Sequence, residues 1–196
     1  MVREYLVPSY DALLDLVDAR PGDRVLDVGC GTGELELRLC RRYEGLLDLV
    51  GVEPAPKMLA IARTKLAREG CAVEWHDGYL QDLEADLLGK FDWLLSSNIL
   101  HWLADPVAEI GVWATCLKSG GRMVNLTLDG GLWPIRLTAP FWFLLMPGFT
   151  GAHTLRQVIS MHERAGLVVE LAERRRFGWF LGAIVVRAHL AETQSL

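Results

Sequence analysis

Apolar positions along the chain switch between a two-residue and a 3.6-residue repeat, the alternation of strands and helices that builds a parallel α/β sheet. Tyr10, Leu13, Leu14 and Val17 line one face of an opening helix that Pro21 and Gly22 end, and the apolar run 24–28 follows as a first strand. A second apolar run, 46–52, predicts strand two. Between them, in 34–43, Leu35, Leu37 and Leu39 alternate as in a strand. The Gly-rich turn before that segment, and the crossover that two adjacent parallel strands require, make it a helix instead.

Met58, Leu59, Ala62 and Leu66 mark the next helical face, with Gly70 as its C-terminal cap, and 72–76 reads as strand three. Strand four is 91–96. Pro106 then opens a helix carrying Val107, Ile110, Ala114 and Leu117, which Gly120 and Gly121 close, and 122–128 is strand five. Residues 130–152 are punctuated by Gly and Pro yet rich in aromatics. Thr154 caps a helix with Leu155, Val158 and Ile159 that Gly166 stops, and the runs 167–177 and 180–190 predict a hairpin around Gly178. The count is five strands and a closing pair, in a single domain over 1–196.

Composition narrows the classes. The 196 residues are 51% hydrophobic, enough for one ordinary core, and 20 Lys and Arg against 25 Asp and Glu leave a net charge of −5. That balance argues against a nucleic-acid partner. The adjacent Arg174, Arg175 and Arg176 point alternately to two sides of a strand and form no single basic patch. The longest apolar stretch, 139–147, falls well short of the roughly 20 residues of a membrane span, and no signal peptide is evident after Arg3 and Glu4. Cys30, Cys40, Cys71 and Cys116 form no C-x-x-C pair, so they are expected as reduced thiols in a cytoplasmic protein. His76, His153, His162 and His189 show no metal-ligand spacing and read as structural, so no metal is expected.

The chemistry concentrates where strand one turns into the next helix. Gly29, Gly31 and Gly33 let a ligand approach the backbone, and the helix terminus beyond them offers unpaired N–H groups. A dinucleotide fingerprint would need Gly or Ala at 34, where Glu34 stands, so a nicotinamide cofactor is disfavoured; no Gly-Lys-Ser/Thr follows, so the phosphate loop of nucleotide triphosphatases is absent too. Twenty residues past Gly33, Glu53 ends strand two, where a carboxylate can accept both hydroxyls of a ribose. Asp77 ends strand three and can accept an exocyclic amine of adenine.

With these residues in this order, the chain resembles the class I S-adenosylmethionine-dependent methyltransferases acting on small molecules. The resemblance rests on VLDVGCGTG at 25–33, GVEP-x-x-KML at 51–59, HDG at 76–78, FDWLLSSNILHWLADP at 91–106 and LKSGGRMV at 117–124. It implies a Rossmann-like, doubly wound, mostly parallel seven-stranded sheet with an antiparallel last strand. It also implies that Asp27, Gly29, Cys30, Gly31 and Gly33 hold the methionine part of S-adenosylmethionine, Glu53 the ribose and Asp77 the adenine amine. Gly78 and Tyr79 would flank the adenine, Asn98 would complete the cofactor site, and S-adenosylhomocysteine would be the product. His101 and Trp102 would face the methyl group, with His101 taking a proton or orienting the acceptor.

Ser119 replaces the Pro usual in the family's turn, and only about 20 residues precede strand one, so a lid from that side is short, with Tyr5 and Tyr10 as its aromatics. The segment 132–149, with Trp133, Phe141 and Trp142, is read as a substrate lid over an apolar acceptor or as a homodimer interface. The preferred acceptor atom is a carboxyl or hydroxyl oxygen of a small molecule. The rival readings are a methyltransferase-like scaffold without turnover and an enzyme using the sulfonium only as a fixed charge.

Overall fold

The computed structural model describes residues 2–82, 87–133, 135, 137–138, 148–177 and 181–191, with side chains described from residue 7 on. Its strands are β1 (Arg24–Val28), β2 (Asp48–Glu53), β3 (Glu74–Asp77), β4 (Phe91–Ser97), β5 (Leu117–Leu128), β6 (Leu167–Phe177) and β7 (Leu181–Leu190). The helices are α1 (Val2–Leu14), α2 (Glu34–Arg42), α3 (Pro56–Arg68), α4 (Pro106–Ala114) and α5 (Leu155–Arg164). One seven-stranded sheet runs in the order β3-β2-β1-β4-β5-β7-β6. Pairing is parallel from β3 to β5, whereas β7 lies antiparallel to both β5 and β6. The doubly wound sheet with an antiparallel closing strand is therefore as the sequence led us to expect.

Strands buried on both faces need apolar residues at successive positions, and these strands have them. Val25, Leu49, Leu95 and Val124 pack on one face against Leu13 of α1 and Leu35 and Leu39 of α2. Leu26, Val50, Leu94 and Met123 pack on the other against Ile110 and Trp113 of α4 and Val158 of α5. Local chemistry sets the helix ends. Asp105 Oδ1 accepts from the backbone N–H of Val107 and Ala108, each at 3.1 Å, to start α4. Thr154 and Gln157 form a reciprocal capping box on α5. At the end of α3, the Cys71 N–H returns to the Leu66 carbonyl and the Gly70 N–H to that of Ala67, a Schellman closure.

Four expectations change. The first helix stops at Leu14, and Val17 is buried from the irregular segment beyond it. Strand three occupies 74–77 rather than 72–76. Leu117 belongs to β5 and not to α4: the pairing passes from Leu117 opposite Phe91 to Arg122 opposite Trp93, so Gly120 and Gly121 sit in an irregular stretch of strand. Finally, Cys40 and Cys71 form a disulfide, leaving Cys30 and Cys116 as buried thiols. Cys40 rides on α2 and Cys71 follows the Schellman turn of α3; these neighbouring helices bring the two Cα atoms to 6.1 Å, within reach of a bridge. Among the described residues no helix is long and apolar enough to cross a membrane.

Candidate functional site

The order β3-β2-β1-β4 places β1 between β2 and β4, where the direction of winding reverses, and the switch opens a crevice at the carboxyl ends of the strands. At that end of β1, the N–H groups of Gly29 and Cys30 both reach the Val52 carbonyl, at 2.8 and 3.1 Å, tying the turn to β2. The three glycines of the turn have positive φ for different neighbours. A Cβ on Gly29 would run into Ile99 and one on Gly33 into Ala62 and Leu66 of α3. A Cβ on Gly31 would meet nothing nearer than Met58 Cε at 3.6 Å, an ordinary contact, so no neighbour in the protein demands glycine here.

Glu53, 7% exposed, ends β2 beside this turn. Its Oε2 accepts the Gly31 N–H and its Oε1 the Ala55 N–H, both at 2.9 Å. Two backbone donors thus fix the carboxylate and leave further lone pairs for hydroxyls. Asp77 stands in register with Glu53 on β3 and is exposed, as is Tyr79; the Gly78 N–H holds the Glu53 carbonyl at 3.2 Å. Across the crevice, Asn98 leaves β4 with φ of 60°, unusual for a residue with a side chain. Its N–H bonds Leu126 O at 2.7 Å and its Nδ2 bonds Ser97 Oγ at 3.0 Å, which holds that conformation.

His101 follows in a short 3-10 turn, Leu100–Trp102. Its carbonyl accepts both the N–H and the hydroxyl of Thr150, at 2.8 and 2.9 Å, so the segment after residue 148 is pinned onto it. The ring packs between Trp102 and Phe149, with centroids 5.3 and 5.8 Å away. Burial, with His153 nearby, pushes the imidazole down to about 4, so it is neutral at pH 7. Its Nδ1 is buried without a hydrogen-bond partner among the described residues.

Two features of this region escaped the sequence reading. His153, read as structural, lies close enough to His101 to act on its charge and is itself held neutral by burial. Glu36 on α2 is buried against Asp27, and no spacing rule singles it out. Of the lid residues, Tyr10 is half-buried with the Arg38 guanidinium 5.7 Å from its ring centre; burial and the charges of Asp27, Glu34 and Glu36 push its phenol up to about 12. Trp133 is exposed and Trp102 partly so. The Tyr5 side chain, Phe141 and Trp142 lie outside the described residues, as does most of the 132–149 segment read as a lid or dimer face.

Residues 25–121, about half of the chain, match the family described as "Methyltransferase domain". The chain belongs to the class I S-adenosylmethionine-dependent methyltransferases. S-adenosylmethionine is the cofactor of that family. A ubiquinone biosynthesis O-methyltransferase from Xanthomonas campestris pv. campestris (strain B100) is 34% identical over 119 residues, which take in 59% of this chain and 48% of that protein. The chain thus spans about half the length of the curated relatives it matches. Among solved structures, the YcgJ protein from Bacillus subtilis superposes with a TM-score of 0.77 over 95% of this chain and 100% of that one, at 16% identity. A geranyl diphosphate methyltransferase in complex with S-adenosylmethionine superposes with a TM-score of 0.76 over 94% and 85%, at 15% identity.

Proposed function

We propose that this methyltransferase moves the methyl group of S-adenosylmethionine to a hydroxyl or carboxyl oxygen of a small, apolar acceptor. The observation that carries the reading is the Glu53 carboxylate, held by two backbone donors beside the one glycine of the turn whose side no protein neighbour crowds. Such a site fits a nucleoside bearing a flexible amino-acid end: hydroxyl donors meet a fixed double acceptor, and nothing at 31 blocks close approach to the backbone. The cofactor supplies a methyl carbon made electrophilic by the adjoining sulfonium.

In this reading Glu53 orients the ribose, and Asp77 with Gly78 and Tyr79 receives the adenine from the solvent side. Asp27, Gly29, Cys30, Gly31 and Gly33 hold the amino-acid end, and Asn98 closes the site from β4. His101, neutral at pH 7, accepts the proton of a hydroxyl acceptor; towards a carboxylate, which has no proton to lose, it donates a hydrogen bond. Trp102 and Phe149, edge-on at 6.0 Å, wall the acceptor side with aromatic surface, and Tyr10 and Trp133 complete it. The oxygen preference draws support from the Xanthomonas relative, an O-methyltransferase.

Titration calorimetry with S-adenosylhomocysteine tests the first half, with Glu53→Ala expected to weaken binding by about tenfold or more. Transfer of a labelled methyl group to a panel of phenols and aliphatic acids tests the second. Heat-silent titrations with both the cofactor and its product would refute the assignment. Labelling confined to amines would refute the oxygen preference.

A further inference from the structure

The alternation that divides Arg174, Arg175 and Arg176 between two faces of β6 also brings two of them together. Arg174 is in register with Ile184 of β7 and Arg176 with Gly182, so both stand on the face that α4 and α5 cover, at the end of the sheet where β5 finishes. Arg175 turns to the other face, where its Nε donates to Glu173 at 2.7 Å. Asp129, 1% exposed, follows β5: its Oδ2 pairs with Arg174 Nε at 3.2 Å and its Oδ1 accepts the Gly131 N–H at 2.8 Å. A Cβ on Gly131 would lie 2.6 Å from Arg174 Nη2, so glycine there makes room for the guanidinium. Half of the Arg174 side chain stays exposed. Arg176 is exposed and makes no ion pair among the described residues.

This basic pair adjoins the acceptor side of the site. The segment 150–153 is held at one end on the His101 carbonyl, through the N–H and hydroxyl of Thr150, and at the other on Gly130, whose N–H donates to the His153 carbonyl at 2.8 Å. From Thr150 to His153 the chain reaches roughly 10 Å at most. A Cβ on Gly130 would lie 2.4 Å from the Ala152 carbonyl oxygen, so glycine is what lets the segment dock. Leu132 Cδ1 would stand 3.0 Å from a Cβ on Gly182, and its side chain lays apolar surface beside Arg176.

Two guanidinium groups against one carboxylate leave a surplus of a single positive charge. Asp129 and its loop hold one edge of the Arg174 head group, and the planar fork of a guanidinium matches a carboxylate. We propose that Arg174 and Arg176 form a subsite for a carboxylate carried by the acceptor at the end remote from the methylated oxygen, which makes the acceptor a hydroxy acid with an apolar body. The inference rests on the function proposed above and narrows it. With the carboxylate held by the arginines, the group presented at His101 is the hydroxyl, which has a proton to give. Asp129 is a positioning residue: it aims Arg174 and holds the surplus to one charge, too little to balance a doubly charged phosphate.

The test is calorimetry of the full chain saturated with S-adenosylhomocysteine, titrated with 4-hydroxybenzoate, 4-hydroxyphenylacetate and 4-hydroxycinnamate and with their neutral methyl esters. At least one acid should bind about tenfold or more tighter than its ester, and rising salt should erode the difference. Arg176→Gln, a change at an exposed position, should bring that acid and its ester to within about threefold of each other. Equal binding of acids and esters by the wild type, or no binding of any acid, overturns the proposal. So does an unchanged preference in Arg176→Gln. Displacement of the acid by inorganic phosphate at lower concentration than by acetate would give the subsite to a phosphate and overturn the carboxylate. If S-adenosylhomocysteine itself fails to bind, it is the function proposed above that falls.

Discussion

Replacing Gly31 and Gly33 by alanine, one at a time, separates a glycine required by a ligand from a glycine required by packing. Both have left-handed backbones, φ 59° and 73°, so each alanine costs about 1–2 kcal/mol in the folded state, offset by roughly 0.5 kcal/mol because the unfolded chain becomes stiffer. At 31 the new methyl meets only Met58 Cε at 3.6 Å, an ordinary contact, and the net loss stays near 1 kcal/mol. At 33 it would stand 2.8 Å from Leu66 Cδ2, 3.0 Å from Ala62 Cβ and 3.3 Å from Ala62 Cα. A helix backbone cannot swing aside as a side-chain tip can, so overpacking adds about 1–3 kcal/mol and the total reaches about 2–4 kcal/mol. Urea unfolding, with the slope checked for constancy, reads these losses. Titration with S-adenosylhomocysteine should rank the variants the other way, with Gly31→Ala about tenfold or more weaker and Gly33→Ala near the wild type while folded. Equal destabilisation of the two, or wild-type affinity in Gly31→Ala, would refute this division of roles.

Burial holds His101 near 4 against an ordinary 6.5, so its folded value is the lower one. Its contribution to stability is complete above about 6.5 and is lost as the pH falls towards 4, by at most ~3 kcal/mol; unfolding curves across that window should be steeper for the wild type than for His101→Gln. The Cys40–Cys71 bridge spans 31 residues, for which loop-closure entropy gives ~3.5 kcal/mol. Reduction should therefore lower the melting temperature by about 7–14 °C in a chain of this size, and Cys40→Ser should melt like the reduced protein and ignore the reductant. Equal melting with and without reductant would contradict the bridge. Asp105→Ala removes the acceptor of two N–H groups at the start of α4 and should cost about 1 kcal/mol in urea unfolding.

The glycine turn and the acids that end β2 and β3 were legible because spacing along the chain fixes where successive strands end. Periodicity was less reliable in α2. Leu35, Leu37 and Leu39 are all buried there because α2 is flanked by α1 and α3 as well as lying on the sheet, so no single stripe of apolar residues marks its inner side. The same enclosure hides Glu36, a charged residue whose depth no linear pattern reveals. At β5 the sequence Lys118-Ser119-Gly120-Gly121 reads as a turn, yet the chain stays in the sheet; a Cβ on Gly121 would lie 2.8 Å from the Phe91 carbonyl, and glycine lets the irregular strand stay against β4. The Cys40–Cys71 bridge and the nearness of His153 to His101 both arise from packing between segments far apart in sequence, which pairwise spacing cannot encode.

The position of β7 between β5 and β6 also sets a schedule for synthesis. A nascent chain that has passed Phe177 already contains six strands, but β5 has an open edge and β6 has no partner until residues 181–190 are made. Ala183, Ile184, Val185 and Val186, each fully buried at the end, are the residues that close this gap. Until they leave the ribosome the growing protein carries two unpaired strand edges that invite pairing with other chains. Ribosome pausing within this last stretch, rather than earlier, is where aggregation during translation should be greatest.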